Sequence, residues 1–546
     1  MLTPTKPAAN GLAQNGAESL VTTLADSGVG LCFANPGTSE MHFVAALDRI
    51  DGVRCVLALF EGVATGAADG YWRMTGNPAA TLLHLGPGLG NGWANLHNAR
   101  KARSGLINIV GDHATDHIGY ESPLKSDLPG VARSISHWTR HAQRAADVGA
   151  DGAAAVVAAR DGAVGRIATL MLPADTAWGP GGQAQRASAP AAAPPAPDAA
   201  VEAAARTLQS LGDKALLLLG AAGVRDERAQ HLAAAIGAKT GCRVMAEFYN
   251  PRMPGGRGRP AIPRLPYAVD AAAARLAGTQ AVVLAGSVDP IAFFAYPNKP
   301  SRLLPPGAAL LTLAEPRQDV PAALQALADA LGAKPVSTSS SVRSPVPASR
   351  SASAAAASSA PALPTGGALT PDSIAAAIAA TLPENAIVVD EAVTTGRGFG
   401  PAMAAAAPHD WLQGMGGAIG YGLPCAVGAA IGAPGRPVLA LEGDGSAMYT
   451  LQALWTMARE SLPVVVVIFA NRAYRILQGE LQGVGATVSG QKATDMLSLE
   501  RPSLDWVALA RGHGMLGERV EDAGALALAL QRGFASGAPC LIEASF

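Results

Sequence analysis

Short apolar runs recur through the chain, each followed by a polar or glycine-bearing turn and then by residues at helical spacing. The clearest case runs from Val438 to Leu477, VLALEGDGSAMYTLQALWTMARESLPVVVVIFANRAYRIL. An apolar run from Pro437 to Leu441 ends in Gly443-Asp444-Gly445. Apolar residues at Met448, Leu451, Leu454, Trp455 and Met457–Ala458 then predict a helix, with Pro463 just beyond it. The next run, Val464 to Ala470, is rich in β-branched residues and stops at Asn471. Strand, helix and strand in this order predict a βαβ unit of a parallel sheet, whose two strands deliver their C-terminal ends to one edge.

The same alternation fills most of the chain. A helix over Ala17–Ser27, a strand over Gly30–Ala34, the turn Asn35-Pro36-Gly37-Thr38 and a helix over Glu40–Arg49 open it. A strand over Arg54–Leu59, a small-residue helix after Glu61, a strand over Ala80–Leu85 and a glycine loop over Gly86–Gly92 follow. Strands over Gly105–Val110 and Arg166–Leu172 complete a first domain at 16–180, after a loose tail at 1–15. The Pro/Ala/Gly-rich stretch 181–199 reads as a linker. A second domain at 200–333 has expected strands Ala215–Leu219, Arg243–Ala246, Ala281–Ala285 and Ala309–Leu313. The Ser/Ala/Pro-rich stretch 334–368 has too few large apolar residues to bury a core and reads as a mobile linker. A third domain occupies 369–546, so the expected fold is α/β with three doubly wound parallel-sheet domains.

Composition narrows the partners. A net charge of −1 gives no field to gather nucleic acid or an anionic membrane. No run of large apolar residues is long enough for a bilayer span, and the N-terminus lacks a basic-then-apolar secretory pattern. Five scattered cysteines without a CxxC suit a reducing compartment, so a cytoplasmic protein is expected.

Chemistry enters at the strand ends. Asp444 and Asn471 should arrive side by side, and a carboxylate with an amide oxygen at a glycine-rich turn suits a hard cation such as Mg²⁺. The glycines and the following helix N-terminus let main-chain N–H groups approach phosphate. Read alone, GDG is equally a tight turn. With Asn471 at the second strand end, the segment resembles the thiamin-diphosphate (ThDP) family of acetolactate synthases, pyruvate oxidases and benzoylformate decarboxylases. That resemblance implies Mg²⁺ bound by Asp444, Asn471 and the carbonyl of Ala473, and a diphosphate near Gly443, Gly445, Ser446 and Tyr474. It also implies a pyrimidine-binding first domain, a supporting middle domain and a diphosphate-binding last domain. The active sites would lie between subunits of a homodimer or homotetramer.

By position alone Glu61 is a first-turn glutamate favoured by the helix dipole. The run LALFEGVATGAADGYWRMTGNPA, however, resembles the family's glutamate strand and helix. There the acid bonds the aminopyrimidine ring and promotes loss of the cofactor's C2 proton. Asn35 would join the cofactor contacts. Within QGMGGAIGYGLPCAVG, Ile419 would wedge the cofactor into its bent form, and the Gly417 carbonyl would accept from its amino group. Thr394 and Ser446 are diphosphate contacts or simple caps. FANPGTSEMHF and TLLHLGPGLGNGWANLHNA are similar to benzoylformate decarboxylases, which would place Thr38 at a substrate carboxylate and make His84 a proton shuttle. His113 and His117 are four residues apart but lack a third nearby ligand, so pocket lining or surface is favoured.

Three departures matter, one of them the stretch YRILQGELQGVGA, where acetolactate synthases carry a Trp- and Gln-rich specificity segment after the metal-binding asparagine. Ala295 stands where benzoylformate decarboxylases carry a second histidine, and Asp112 stands where acetolactate synthases carry glutamine. The middle-domain loop LLLGAAGVRDER has no GxGxxG, and FAD is not expected. The resemblance implies decarboxylation of a small 2-oxo acid with carboligation, as in acetolactate synthases. A non-oxidative decarboxylase of the benzoylformate type and a non-catalytic cofactor-binding paralogue are the alternatives.

Overall fold

The computed structural model describes residues 14–334, 361–486 and 490–546. Most of the expected tail at 1–15 and linker at 334–368 lies outside the described residues. The chain divides into two compact units. One runs up to Ala191 and adds Gly416–Gly435 and Tyr449–Leu462; the other holds Ala192–Met415, Arg436–Met448 and Pro463–Phe546.

The first unit is built on a six-stranded parallel sheet. Its order is Arg54–Leu57, Leu31–Ala34, Ala79–Leu83, Leu106–Asp112, Ile167–Pro173, Trp138–His141. The helix Gly16–Asp26 starts with a capping box: Asn15 accepts from the Glu18 N–H, and the Glu18 carboxylate accepts from the Asn15 N–H. It buries Leu20, Val21 and Leu24 in one core with Phe43, Ile109 and Leu170. The stretch after Trp178 has no helix until Asp198–Leu211, yet Gln185 and Ala187 donate main-chain N–H bonds to the Thr23 and Ser27 hydroxyls of that first helix.

Two small-residue helices pack together in this unit, Glu61–Thr75 and Gly422–Gly432. A β-carbon on Gly70 would lie 2.1 Å from the Cys425 carbonyl oxygen, and one on Gly428 would lie 1.8 Å from that of Ala67. Only glycine permits backbones this close. The glycines at these two positions therefore serve interhelical packing. Deeper in the first of these helices, Arg73 Nη2 meets Asp69 Oδ2 at 2.6 Å with both side chains buried, and the Ser104 hydroxyl donates to Asp69 at 2.5 Å.

The second unit carries two sheets. The smaller is parallel, in the order Arg243–Ala246, Ala215–Leu219, Ala281–Ala285, Ala309–Ala314. Successive residues of its strands enter separate cores, Leu217 and Val283 on one face and Leu216, Leu218 and Val282 on the other. This is the pattern of a doubly wound sheet. The larger sheet runs Met253–Gly255, His409–Gln413, Ala386–Glu391, Val438–Gly443, Val464–Ala470, Cys540–Ser545, Leu516–Val520. Its edge strand Met253–Gly255 is antiparallel to its neighbour, the one departure from the expected parallel pattern in this sheet.

The expected strand–helix–strand unit is present, with Gly443 paired in register with Phe469. Its helix differs in detail. It begins at Asp444 itself, stops after Ala447 and resumes over Ala453–Arg459. The expected glycine loop Gly86–Gly92 is instead the first two turns of a helix, Leu85–Ala102. Pro87 is accommodated because it falls in the first turn, where a missing N–H breaks no helical bond.

Candidate active site

In the second unit, the strands Val438–Gly443 and Val464–Ala470 lie side by side and end together. Asp444 is the first helical residue after the first of them and is buried. Its Oδ1 accepts from the Gly445 N–H at 2.9 Å and its Oδ2 from the Arg472 N–H at 2.6 Å. The second contact depends on a left-handed backbone at Arg472, φ 56°, which a non-glycine residue adopts only at a cost. Arg472 sends its guanidinium to the Ser545 hydroxyl, 2.9 Å away. Burial pushes the Asp444 carboxyl up, and the main-chain N–H bonds of Arg472 and Gly445 pull it back.

Asn471 accepts from the Ala473 N–H at 3.0 Å, and the Tyr474 N–H donates to Leu497 at 2.9 Å. The Ser446 hydroxyl donates to the Gly443 carbonyl at 3.1 Å. A β-carbon on Gly445 would stand 2.5 Å from the Tyr474 ring, so the ring covers the glycine directly. Asp444, Gly445, Asn471, Ala473 and Tyr474 thus form one connected group. Thr394 is exposed on the turn after the strand Ala386–Glu391, which neighbours Val438–Gly443 at the same edge.

The donors here suit a hard cation. They are a carboxylate, an amide oxygen and main-chain carbonyls, and among the described residues no cluster of three His, Cys, Asp or Glu side chains forms a competing site.

In the first unit, Glu61 opens the helix Glu61–Thr75 just past the strand Arg54–Leu57 and is buried. Its Oε2 accepts from Asn91 Nδ2 at 3.0 Å. The helix carrying Asn91 also fixes the loop that holds Gly417 and Ile419. Asn98 Nδ2 donates to the Ala418 carbonyl at 2.8 Å, and Asn95 Nδ2 donates to the carbonyls of Gly62 at 2.9 Å and Gly420 at 3.1 Å. Asn95 therefore ties the Glu61 helix and the Ile419 loop to one side chain. Ile419 is half-buried and Gly417 exposed.

His84 stands at the N-cap position of the helix Leu85–Ala102, without a side-chain capping bond. Its Nδ1 faces Glu40 Oε2 at 2.9 Å and the Ser39 hydroxyl at 3.4 Å. Glu40 is buried and also accepts from the Gly37 N–H at 2.8 Å and the Ser39 hydroxyl at 2.6 Å. Nδ1 is thus held by the carboxylate. Thr38 begins the short turn Thr38–Glu40 and is exposed; Asn35 is half-buried in the same loop.

Glu40, Ser39 and Asn91 are the residues that sequence reasoning missed. Glu40 reads locally as a first-turn acid, and its real partner lies 44 positions away. The rings of His113 and His117 meet at a tilt of 50° with centroids 5.5 Å apart, and His113 Nε2 lies 3.1 Å from the Ser122 hydroxyl. Asp112 pairs with His141 Nε2 at 2.9 Å, while Gln143 covers the other ring nitrogen at 3.1 Å.

Comparison with known proteins decides the family. Residues 14–159 match the thiamine pyrophosphate enzyme N-terminal TPP binding domain, and residues 395–544 match the C-terminal TPP binding domain. The chain belongs to the thiamine pyrophosphate enzyme family. This ThDP-dependent enzyme is 50% identical over 530 residues to a Mycobacterium tuberculosis protein named "Putative acetolactate synthase large subunit IlvX", covering 97% of this chain and 98% of that one. It is 30% identical to the benzoylformate decarboxylase of Pseudomonas aeruginosa, over 94% of this chain and 96% of that one. Among solved structures, the Rhodococcus jostii RHA1 thiamine diphosphate-dependent 4-hydroxybenzoylformate decarboxylase superposes with a TM-score of 0.78 at 26% identity. That match covers 97% of this chain and 99% of the other. Among the described residues, no helix is long and apolar enough to cross a membrane.

Proposed function

We propose that this ThDP enzyme decarboxylates a small 2-oxo acid and joins the remaining fragment to a second carbonyl, in the manner of an acetolactate synthase. The observation that carries this reading is the retention of Glu61, Asp444 and Asn471 at strand ends, in a chain half identical along its length to a protein of that name. The same three residues argue against a non-catalytic paralogue. Bound ThDP supplies a carbon nucleophile for the keto carbon and takes up the electrons left when CO₂ departs.

The chain's own residues do the rest. Asp444, Asn471 and the Ala473 carbonyl would hold Mg²⁺, and Gly443, Gly445, Ser446, Thr394 and Tyr474 would receive the diphosphate. Gly417 and Ile419 receive the aminopyrimidine, with Asn35 among its contacts. Glu61 holds the proton at the pyrimidine nitrogen, in a buried position where water does not compete for it. Thr38 orients the substrate carboxylate, and His84 moves a proton through Nε2 while Glu40 fixes its ring. The enzyme is read as a cytoplasmic homodimer or homotetramer.

The second reading is a benzoylformate-type decarboxylase, favoured by the Pseudomonas and Rhodococcus likenesses. Ala295, on an exposed loop, provides no second imidazole, which disfavours fast protonation and aldehyde release. The test is to incubate the enzyme with pyruvate, then with benzoylformate, in the presence of excess acceptor aldehyde, and to quantify hydroxyketone against aldehyde. Carboligation predicts hydroxyketone as the main product. Rapid release of aldehyde alone would promote the decarboxylase.

A further inference from the structure

Within the second unit lies a cavity of about 260 Å³, smaller than the roughly 300–1,000 Å³ of pockets that take drug-sized ligands. Thr394, assigned above to the diphosphate, lines it together with Ile476, which follows the metal-binding strand end. One wall is the helix Arg475–Gly483, which presents Arg475, Gly479 and Gly483 one turn apart, with Glu480 beside them. A β-carbon on Gly479 or Gly483 would meet nothing within 4 Å. A helix carrying two such glycines gives up stability at each relative to alanine, and the packing around them asks for neither. What they leave is open space.

The sign of the ligand follows from which charges are already satisfied. Lys299 is 2.7 Å from Asp270. Tyr296 hydrogen-bonds both Tyr267 and Glu480. Burial first, then these bonds, hold the Tyr296 hydroxyl well above the ordinary tyrosine range, so it remains a donor to the Glu480 carboxylate, which keeps its negative charge in the lining. Arg397 lies over the Tyr267 ring, 4.8 Å from its centroid, which orients the guanidinium without neutralising it. Neither Arg397 nor Arg475 has an ion pair among the described residues. Two guanidinium groups on two segments that line one small cavity, against the single Glu480 carboxylate, leave it net positive and match a carboxylate, which each arginine can bind in a two-pronged fashion.

We propose that this cavity binds a second anionic group on the substrate, so that the enzyme prefers a 2-oxo dicarboxylate over an apolar or aryl 2-oxo acid. This rests on the 2-oxo acid reading above and adds the substrate class to it.

The experiment uses the full-length protein loaded with ThDP and Mg²⁺. CO₂ release is measured from 2-oxoglutarate, 2-oxobutanoate, benzoylformate and 5-guanidino-2-oxopentanoate. The expected result is the highest kcat/KM for 2-oxoglutarate. Arg397→Met and Arg475→Met should each lower the ratio of kcat/KM for 2-oxoglutarate to that for 2-oxobutanoate by roughly 10- to 100-fold, the range for losing a charged hydrogen bond. Gly479→Leu, whose side chain enters open space, should fold and lose 2-oxoglutarate binding by calorimetry. Preference for the neutral, aryl or guanidino acid would overturn the proposal, as would a ratio that neither arginine variant moves. No CO₂ from any of the four acids would instead sink the 2-oxo acid reading. Calorimetry needs no turnover, and in that case 2-oxoglutarate binding lost in both arginine variants would support the anion site, while no binding would reject it.

Discussion

Asp444 and Glu61 are both buried acids placed just past a strand of a parallel sheet, and they are satisfied in opposite ways. Both Asp444 oxygens take main-chain N–H bonds, from its own turn and from the neighbouring strand end. Glu61 takes a side-chain amide, Asn91, on one oxygen. His84, on the same sheet as Glu61, likewise has one ring nitrogen fixed by a side chain and the other free. Main-chain donors on both oxygens set the position of the Asp444 carboxylate rigidly, which suits the metal-holding role proposed for it. Side-chain partners that occupy one atom and spare the other leave a group able to exchange a proton. On the roles proposed above, the partners separate a metal-holding edge from a proton-handling edge, although the acids themselves look alike in sequence.

The largest effect should come from removing the metal-holding acid. Asp444→Ala should abolish ThDP-dependent activity and the thermal stabilisation that ThDP with Mg²⁺ gives the unaltered protein. A ligand at a hundred times its Kd stabilises a fold by about 2.7 kcal/mol, so the shift is readable in a melting experiment. The same melting shift in the variant would show that Asp444 holds no metal. Glu61→Gln comes next. Glutamine can keep the Asn91 contact, so cofactor binding should survive while exchange of the cofactor's C2 proton slows by roughly 10²–10⁴-fold. If both variants lost binding equally, the distinction between the two edges would collapse.

Much of this was legible in the chain because both signals are local. The strand Val464–Ala470 has its expected bounds, since a β-branched run closed by Asn471 leaves little freedom. Asp444 and Asn471 meet because a βαβ unit forces its strand ends together. The errors arose where tertiary packing overrides local preference. Gly86–Gly92 reads as a loop, yet it is helix, because helix Leu85–Ala102 lies close against helix Glu61–Thr75. The edge strand Met253–Gly255 sits in a Pro/Gly-rich stretch with no alternation to announce it. Glu40 was invisible as a partner of His84 because nothing in its own segment refers to the strand end 44 residues on.

That missed contact gives the smallest and sharpest test of the proton-handling edge. Glu40 does not face outward; it is buried and bonded to Gly37, Ser39 and His84, so its effect on chemistry passes through the imidazole. With a carboxylate there, Nδ1 carries a proton and Nε2 is the nitrogen that gives or takes one. In Glu40→Gln the volume is kept and the side-chain oxygen can still accept from Gly37 or Ser39. Its amide group can then donate to Nδ1, which moves the ring proton to Nε2 and leaves the wrong tautomer facing outward. Turnover should fall roughly 10- to 100-fold, as when the partner that orients a functional histidine is lost. The loss should appear in kcat more than in KM, because the role proposed for His84 is to act on a proton and not to carry the substrate's binding. C2 exchange should stay at the rate of the unaltered protein, since that step belongs to Glu61. A variant that melts earlier but turns over normally would make Glu40 a packing residue, and slowed C2 exchange would tie it to Glu61 instead of His84.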